Sequence, residues 1–365
     1  MEQSVAGKSW KIMATMFGLT NAFALLALAQ TTPTPLMNHT FATSDEGWLG
    51  MGEIAKVSRT AAPKPTLHFE YMVRKGNVGA LTRPIESEAL KGGQRLHFAL
   101  KTDTDTVLAV MVQEKGGGRF TAVANLPKNL WQDIDLALSD FTLGTDKGDP
   151  ADANGKLDLD KVESLSVVDL HVFFVQTESP QLAGLFPGIV SGPRELWMRE
   201  FTATAAPLPV ATLDGLNRPQ LAWIGVGGAG LKRSAAGGPL TGTSLEAAYA
   251  VGQGKIAGLF RSFATGALTG KTSLNMTVAV AKSATFLVQL EDDQGGKFNT
   301  TVEVPGVKIP KKLSLVLADF KPDTDSKRDK IDLARVKQVL ILDISGLTES
   351  VEQTNTLWLA NLEAK

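Results

Sequence analysis

One stretch occurs twice in this chain, and that duplication limits the fold more than any other feature. Val110-Met-Val-Gln-Glu-Lys-Gly-Gly-Gly-Arg-Phe120 returns as Val288-Gln-Leu-Glu-Asp-Asp-Gln-Gly-Gly-Lys-Phe298, each end displaced by the same 178 positions. Each copy reads as a strand, a Gly-rich reversal and a second strand. The offset holds on either side. Leu245, Ala247, Tyr249 and Val251 answer Leu67, Phe69, Tyr71 and Val73; Arg261 answers Arg83; Leu274, Met276 and Val278 answer Leu96, Phe98 and Leu100. Further on it drifts, as loops of unequal length require, but Asp319-Phe320 still matches Asp140-Phe141, Asp343 matches Asp169, and Leu357-Trp358 matches Leu196-Trp197.

Two copies of one domain follow, and 365 residues give each copy enough chain to bury its own core. The apolar positions alternate with period two in short runs, and Gly- or Pro-bearing reversals separate them. Long amphipathic patterns are missing. The fold class expected is all-β: two tandem jelly-roll β-sandwiches, 36–203 and 210–365, joined through the small, Pro-bearing stretch Thr202 to Pro209. The run Val167 to Val175 reads as a strongly apolar strand. Tyr71 and Tyr249 fall on the inward register, and the repeated Trp197 and Trp358 read as core.

Residues 1–29 read as an export signal. Lys8 and Lys11 precede an apolar run from Ile12 to Leu28, and Ala27-Leu28-Ala29 has the small-x-small form of a cleavage site. An uncleaved anchor is the competing reading; once the signal is removed, no transmembrane domain is expected. The chain has no cysteine, which excludes disulfides, thiolate metal sites and a cysteine nucleophile. The expected location is a bacterial periplasm, the cell surface or outside the cell. A formal net charge of −1 supplies no field to recruit nucleic acid.

In its order of strand, Gly-rich hairpin, Trp131-Gln-Asp-Ile-Asp-Leu-Ala-Leu-Ser-Asp-Phe141, Leu157-Asp-Leu-Asp-Lys-Val162 and the terminal Glu195-Leu-Trp-Met198, the chain resembles the galactose-binding-like jelly rolls. Within them it is similar to the complex I intermediate-associated protein type and to β-glucan-binding carbohydrate modules. That resemblance implies a sandwich of roughly eight to ten strands, a structural calcium, and in the carbohydrate modules a sugar groove on one sheet.

Candidate chemistry is sparse. Asp152-Ala-Asn154-Gly-Lys-Leu-Asp158 offers oxygen ligands, and Asp152, Asn154 and Asp158 are the candidates for calcium. An EF-hand register fails there, because positions one and twelve would fall on Pro150 and Lys161. Glu291 and Asp292 are neighbours on a strand and point to opposite faces, so they cannot converge on one glycosidic bond. Arg83 and Arg261, with Gln113, Gln289 and Glu291, are read as the outward face of the hairpin sheet and as the candidates for a polar ligand. The function expected is non-catalytic binding of a polysaccharide. The alternative is assembly onto an envelope or membrane-complex protein, for which the outward apolar Val107, Ala109 and Met111 would form the contact; a glycan-active enzyme is the minority reading.

Overall fold

The computed structural model describes residues 34–61, 64–145, 148–176, 186–209, 213–234, 238–348 and 352–365; the expected export signal lies outside them. Among the described residues no helix is long and apolar enough to cross a membrane.

The alternating runs become strands. The first half carries β1 (Met37–His39), β2 (Leu49–Met51), β3 (Lys56–Thr60), β4 (Thr66–Val73), β5 (Ala80–Pro84), β6 (Arg95–Thr102), β7 (Thr106–Glu114), β8 (Arg119–Leu126), β9 (Gln132–Ala137), β10 (Thr142–Leu143), β11 (Val162–Asp169) and β12 (Gly192–Thr204). The second carries β13 (Ile224–Val226), β14 (Gly230–Arg233), β15 (Leu245–Val251), β16 (Ala257–Ser262), β17 (Ser273–Val280), β18 (Ala284–Asp292), β19 (Lys297–Val304), β20 (Lys311–Val316), β21 (Lys321–Pro322), β22 (Val336–Asp343) and β23 (Gln353–Ala364). Two short helices, α1 (His171–Gln176) and α2 (Ser345–Thr348), follow β11 and β22.

Strand order confirms the duplication. One sheet of the first sandwich runs β3-β4-β12-β6-β9, with β1 added beside β12, and its counterpart runs β14-β15-β23-β17-β20. The other runs β10-β8-β7-β11-β5-β2 and its counterpart β21-β19-β18-β22-β16-β13. The two orders are the same strand for strand. The protein is thus all-β, two antiparallel jelly-roll sandwiches in tandem.

Each sandwich has its own apolar core, one including Leu67, Phe69, Phe98, Val110, Phe120 and Phe201, the other Leu245, Val278, Phe286, Val288, Phe298 and Leu359. Both inward tyrosines end on a buried aspartate: Tyr71 donates to Asp169 at 2.9 Å and Tyr249 to Asp343 at 3.0 Å. Burial pushes both phenols up, and the facing carboxylates add to it. Trp48 and Trp223, both fully buried, are likewise one residue in two copies. Trp48 donates to His39 nine residues earlier at 3.1 Å, and Trp223 donates to Asp214 nine residues earlier at 2.8 Å.

Three local expectations are corrected. The run Val167 to Val175 is not one strand: β11 stops at Asp169 and α1 takes over, because a short apolar run has no period to separate strand from helix. The Thr202 to Pro209 stretch is not all linker, since Thr202, Ala203 and Thr204 still pair with His97, Leu96 and Arg95. Trp197 is not core: Leu196 and Met198 point inward, so Trp197 points out, whereas Trp358 is buried as expected, in a small apolar cluster of its own.

Candidate functional site

Of the five residues expected to share an outward face, Gln113, Gln289 and Glu291 lie on the outer side of their sheets, and Arg83 and Arg261 do not. Arg83 and Arg261 have the parity of the buried Leu81 and Leu259 and point in at one end of their sandwiches. Arg261 is 6% exposed, and Asp214 holds it at 3.1 Å. Gln113 is on the outer side but is spent on its own hairpin, its amide donating to the carbonyls of Glu114, Gly117 and Gly118. Gln289, 7% exposed, donates to Asp323 from the overlying loop. Glu291 is half-buried, and burial raises its carboxyl above the usual range. Val107, Ala109 and Met111 do not form an open docking strip either. Ala109 is fully buried in a small cluster with Val168 and Val172, the latter from α1, and Met111 packs on its edge.

The calcium candidates do not build a cage. Asp152 Oδ2 accepts the backbone N–H of Asn154 at 2.9 Å and of Gly155 at 2.5 Å, while Asp158 Oδ2 takes the Asn154 amide at 3.0 Å and Lys161 at 2.7 Å. Their oxygens are turned to these donors, and among the described residues no group of three or more His, Asp or Glu side chains could hold a metal ion. The loop instead closes over Glu114, which is 1% exposed and accepts the Asp158 N–H at 2.5 Å. Burial, reinforced by the carboxylates of Asp152 and Asp158, pushes Glu114 up to about 7.

The outer side of the β3-β4-β12-β6-β9 sheet holds the most developed constellation. Register sets His68 of β4 opposite Trp197 of β12, and Trp197 opposite Lys101 of β6; Leu100 pairs with Gln132, so Trp131 enters β9 beside Lys101. The result is one row across four neighbouring strands. The His68 and Trp197 rings stack at 5.0 Å with an interplanar angle of 1°. Lys101 Nζ lies 4.0 Å from the Trp197 ring centre and 5.6 Å from that of Trp131, and the Arg199 guanidinium lies 5.0 Å from Trp131. A register shift between Met198 and Glu200 leaves Arg199 unpaired in the ladder, which turns it over the row. Carboxylates border it: Glu195 is 2.8 Å from His68 Nε2, and Asp133 is 3.3 Å from Arg199. Trp131 is 37% exposed and Trp197 half-buried, so both rings reach solvent.

The second sandwich lacks this row. Trp358 repeats Trp197 but is 8% exposed, packed with Leu240, Ala279, Ala281 and Ala360, and its indole N–H is tied to Glu246 at 3.1 Å. Glu246 stands where His68 does, Ala279 where Lys101 does. The reading of both tryptophans as core hid this difference; the parity of Leu196 and Met198 was the available signal.

A cleft of ≈ 890 Å³ also lies between the sandwiches, lined by Asn125, His171, Lys232 and the stacked pair Phe174 and Phe186, 3.8 Å apart. The glycine run Gly225-Val-Gly-Gly-Ala-Gly230 forms part of its wall as the tight reversal from β13 to β14. Gly227, at φ 65°, lies so close to the Ile256 carbonyl that a Cβ there would sit at 2.0 Å.

No family model and no curated protein matches the chain. Among solved structures it is similar to the carbohydrate-binding module CtCBM11 studied in solution (16% identity, 49% of this chain and 99% of that one, TM-score 0.36). It is also similar to the family 11 carbohydrate-binding module from Clostridium thermocellum (12%, 39% and 86%, TM-score 0.30) and to the tandem CBM22-1–CBM22-2 domain of Paenibacillus barcinonensis Xyn10C (12%, 91% and 98%, TM-score 0.29).

Proposed function

We propose that the protein is an exported, non-catalytic polysaccharide-binding module whose ligand lies along the row His68, Trp197, Lys101 and Trp131. The observation that carries this reading is the aromatic row itself, present and solvent-accessible in one sandwich and dismantled in the other. Pyranose rings present apolar C–H faces that pack on aromatic rings, and their hydroxyls need donors and acceptors around the edge. Trp131 supplies a face and Trp197, held between His68 and Lys101, an exposed edge; Lys101 and Arg199 supply donors, Glu195 and Asp133 acceptors. Glycoside hydrolysis would need two free carboxyl groups facing each other across a bond. Here the bordering carboxylates are engaged by His68 and Arg199, which suits holding a sugar rather than cleaving it.

The test is binding of the purified chain to a panel of plant, algal and bacterial polysaccharides, followed by calorimetry on the best ligand. Trp197→Ala and Trp131→Ala are each expected to weaken binding roughly tenfold or more, as truncated aromatic anchors do. Gln289→Ala, in the other sandwich, is expected to leave affinity unchanged. Wild-type affinity in both tryptophan variants would refute the site.

A further inference from the structure

We propose that the chain associates head to tail with a second copy of itself, the free end of its first sandwich seating on the free side of the second sandwich of its neighbour. The pattern is the junction already present within the chain. There, Asn125 N–H donates to the Leu221 carbonyl at 2.9 Å, Asp135 N–H donates to the Gln220 side chain at 3.0 Å, and Asp140 faces Arg218 at 3.2 Å and Arg261 at 3.9 Å. The first sandwich thus supplies β8, β9 and Asp140, and the second supplies its entry segment with β13 and β16.

Both halves of this junction exist a second time, uncovered by any of the described residues. Leu49 and Met51 on β2 stand where Ile224 and Val226 stand on β13; the former are 53% and 55% exposed, the latter 5% and 2%. Arg83 stands where Arg261 does. Its guanidinium lies against Gly47, where a Cβ would come within 2.6 Å of Nη1, and its buried Nε, like that of Arg261, has no hydrogen-bond partner among the described residues. The neighbour equivalent to Asp214 is His39, which burial and Arg83 hold down at about 4 and so keep neutral. On the second sandwich, Asp319 occupies the position of Asp140 and is exposed, and Val316 beside it is 48% exposed.

Charge also matches. Asp45, exposed on the entry segment at the position of Gln220, would face the side of β20 that carries the exposed Lys312, while Arg83 would face Asp319. Asn125 is replaced by Glu303, whose carboxylate cannot donate to carbonyls as the Asn125 side-chain amide does to Leu221 and Trp223, so the contact between chains is weaker than the one within the chain. The intramolecular junction also gains from effective concentration. Association is therefore expected to depend on concentration, and because the two faces differ it propagates instead of closing a twofold dimer.

The absence of cysteine makes the test clean. Chains carrying Met51→Cys and chains carrying Val316→Cys are mixed under mild oxidation, with each variant alone as control. Cross-linking is expected in the mixture well above either variant alone. Asp319→Arg, at an exposed site outside the core, is expected to raise the concentration at which sedimentation detects association by about tenfold, and Arg83→Glu in the same chain to restore it. A monomer at every concentration, as when the chain's own N-terminal segment covers β2, would overturn the proposal. So would preferential cross-linking of Met51→Cys chains to one another, the mark of a symmetric dimer, or indifference to Asp319→Arg. None of these readouts depends on glycan binding.

Discussion

Asp214→Ala is expected to lower the free energy of unfolding by about 3–5 kcal/mol, the range for stripping one partner from a buried ion pair. Asp214 has three tasks at once: it faces Arg261 at 3.1 Å, accepts the Trp223 indole N–H at 2.8 Å and accepts the Leu216 N–H at 2.8 Å. Its removal leaves a guanidinium that is 6% exposed without its nearest counter-charge, at the seam between the sandwiches. Urea unfolding followed by tryptophan fluorescence would measure the loss. The first sandwich provides an internal control. His39 fills the same place, is neutral at pH 7, and holds Trp48 with one hydrogen bond, so His39→Ala is expected to cost less, about 1–2 kcal/mol. If the charge is what matters, Asp214→Asn will sit between the two, and the pair Asp214→Leu with Arg261→Met will recover much of the loss. Equal costs for Asp214→Ala and His39→Ala would refute the account.

The parts of the fold that period two encodes could be read from the residues alone. Leu67, Phe69, Tyr71 and Val73 announced β4 and its buried face, and the shared offset of Tyr71 with Tyr249 put both phenols inward; that they meet Asp169 and Asp343 is seen only in the fold. Other parts needed three dimensions. Trp48 and Trp223 are equivalents, but three residues off the 178-position step, so the repeat did not connect them. α1 could not be separated from β11 because an apolar run of that length fits both. The row at His68, Trp197, Lys101 and Trp131 draws its members from β4, β12, β6 and the start of β9, and only the register of three ladders brings them into line. Strand parity places Trp197 outward and Arg83 inward, and equivalence across the copies carries no information on either. Duplication preserves position, and Trp358 with Trp197 shows that it does not preserve exposure.

The buried carboxyl of Glu114 makes a second large effect, one that depends on pH. Its counterpart Asp292 is 3% exposed and is met by Arg328 at 3.4 Å, whereas Glu114 accepts the Asp158 N–H and lies beside two further carboxylates, Asp152 and Asp158. Folding therefore raises the Glu114 carboxyl from 4.5 to about 7, burial being the main cause. A raised carboxyl binds its proton more tightly in the folded state, so the stability it contributes is complete below pH 4.5 and is lost as pH climbs through 7. Other groups act in the opposite sense: burial lowers His39, and backbone N–H groups outweigh burial to lower Asp152, so both cost stability on acidification. The raw profile mixes these contributions, and the difference between wild type and Glu114→Gln separates one from the rest. Relative to wild type, the glutamine variant is expected to gain roughly 2–3 kcal/mol between pH 5 and pH 8, because its amide stays neutral while the wild-type carboxyl must ionise against Asp152 and Asp158. Asp292→Asn is expected to show the contrary: it removes the charge that Arg328 faces and so destabilises at pH 8. Urea midpoints of the three proteins at pH 5, 6.5 and 8 would decide it. A Glu114→Gln difference that stays constant with pH would mean that the site is held by an ordinary solvated carboxylate, and that the contrast between the two hairpins is one of sequence alone.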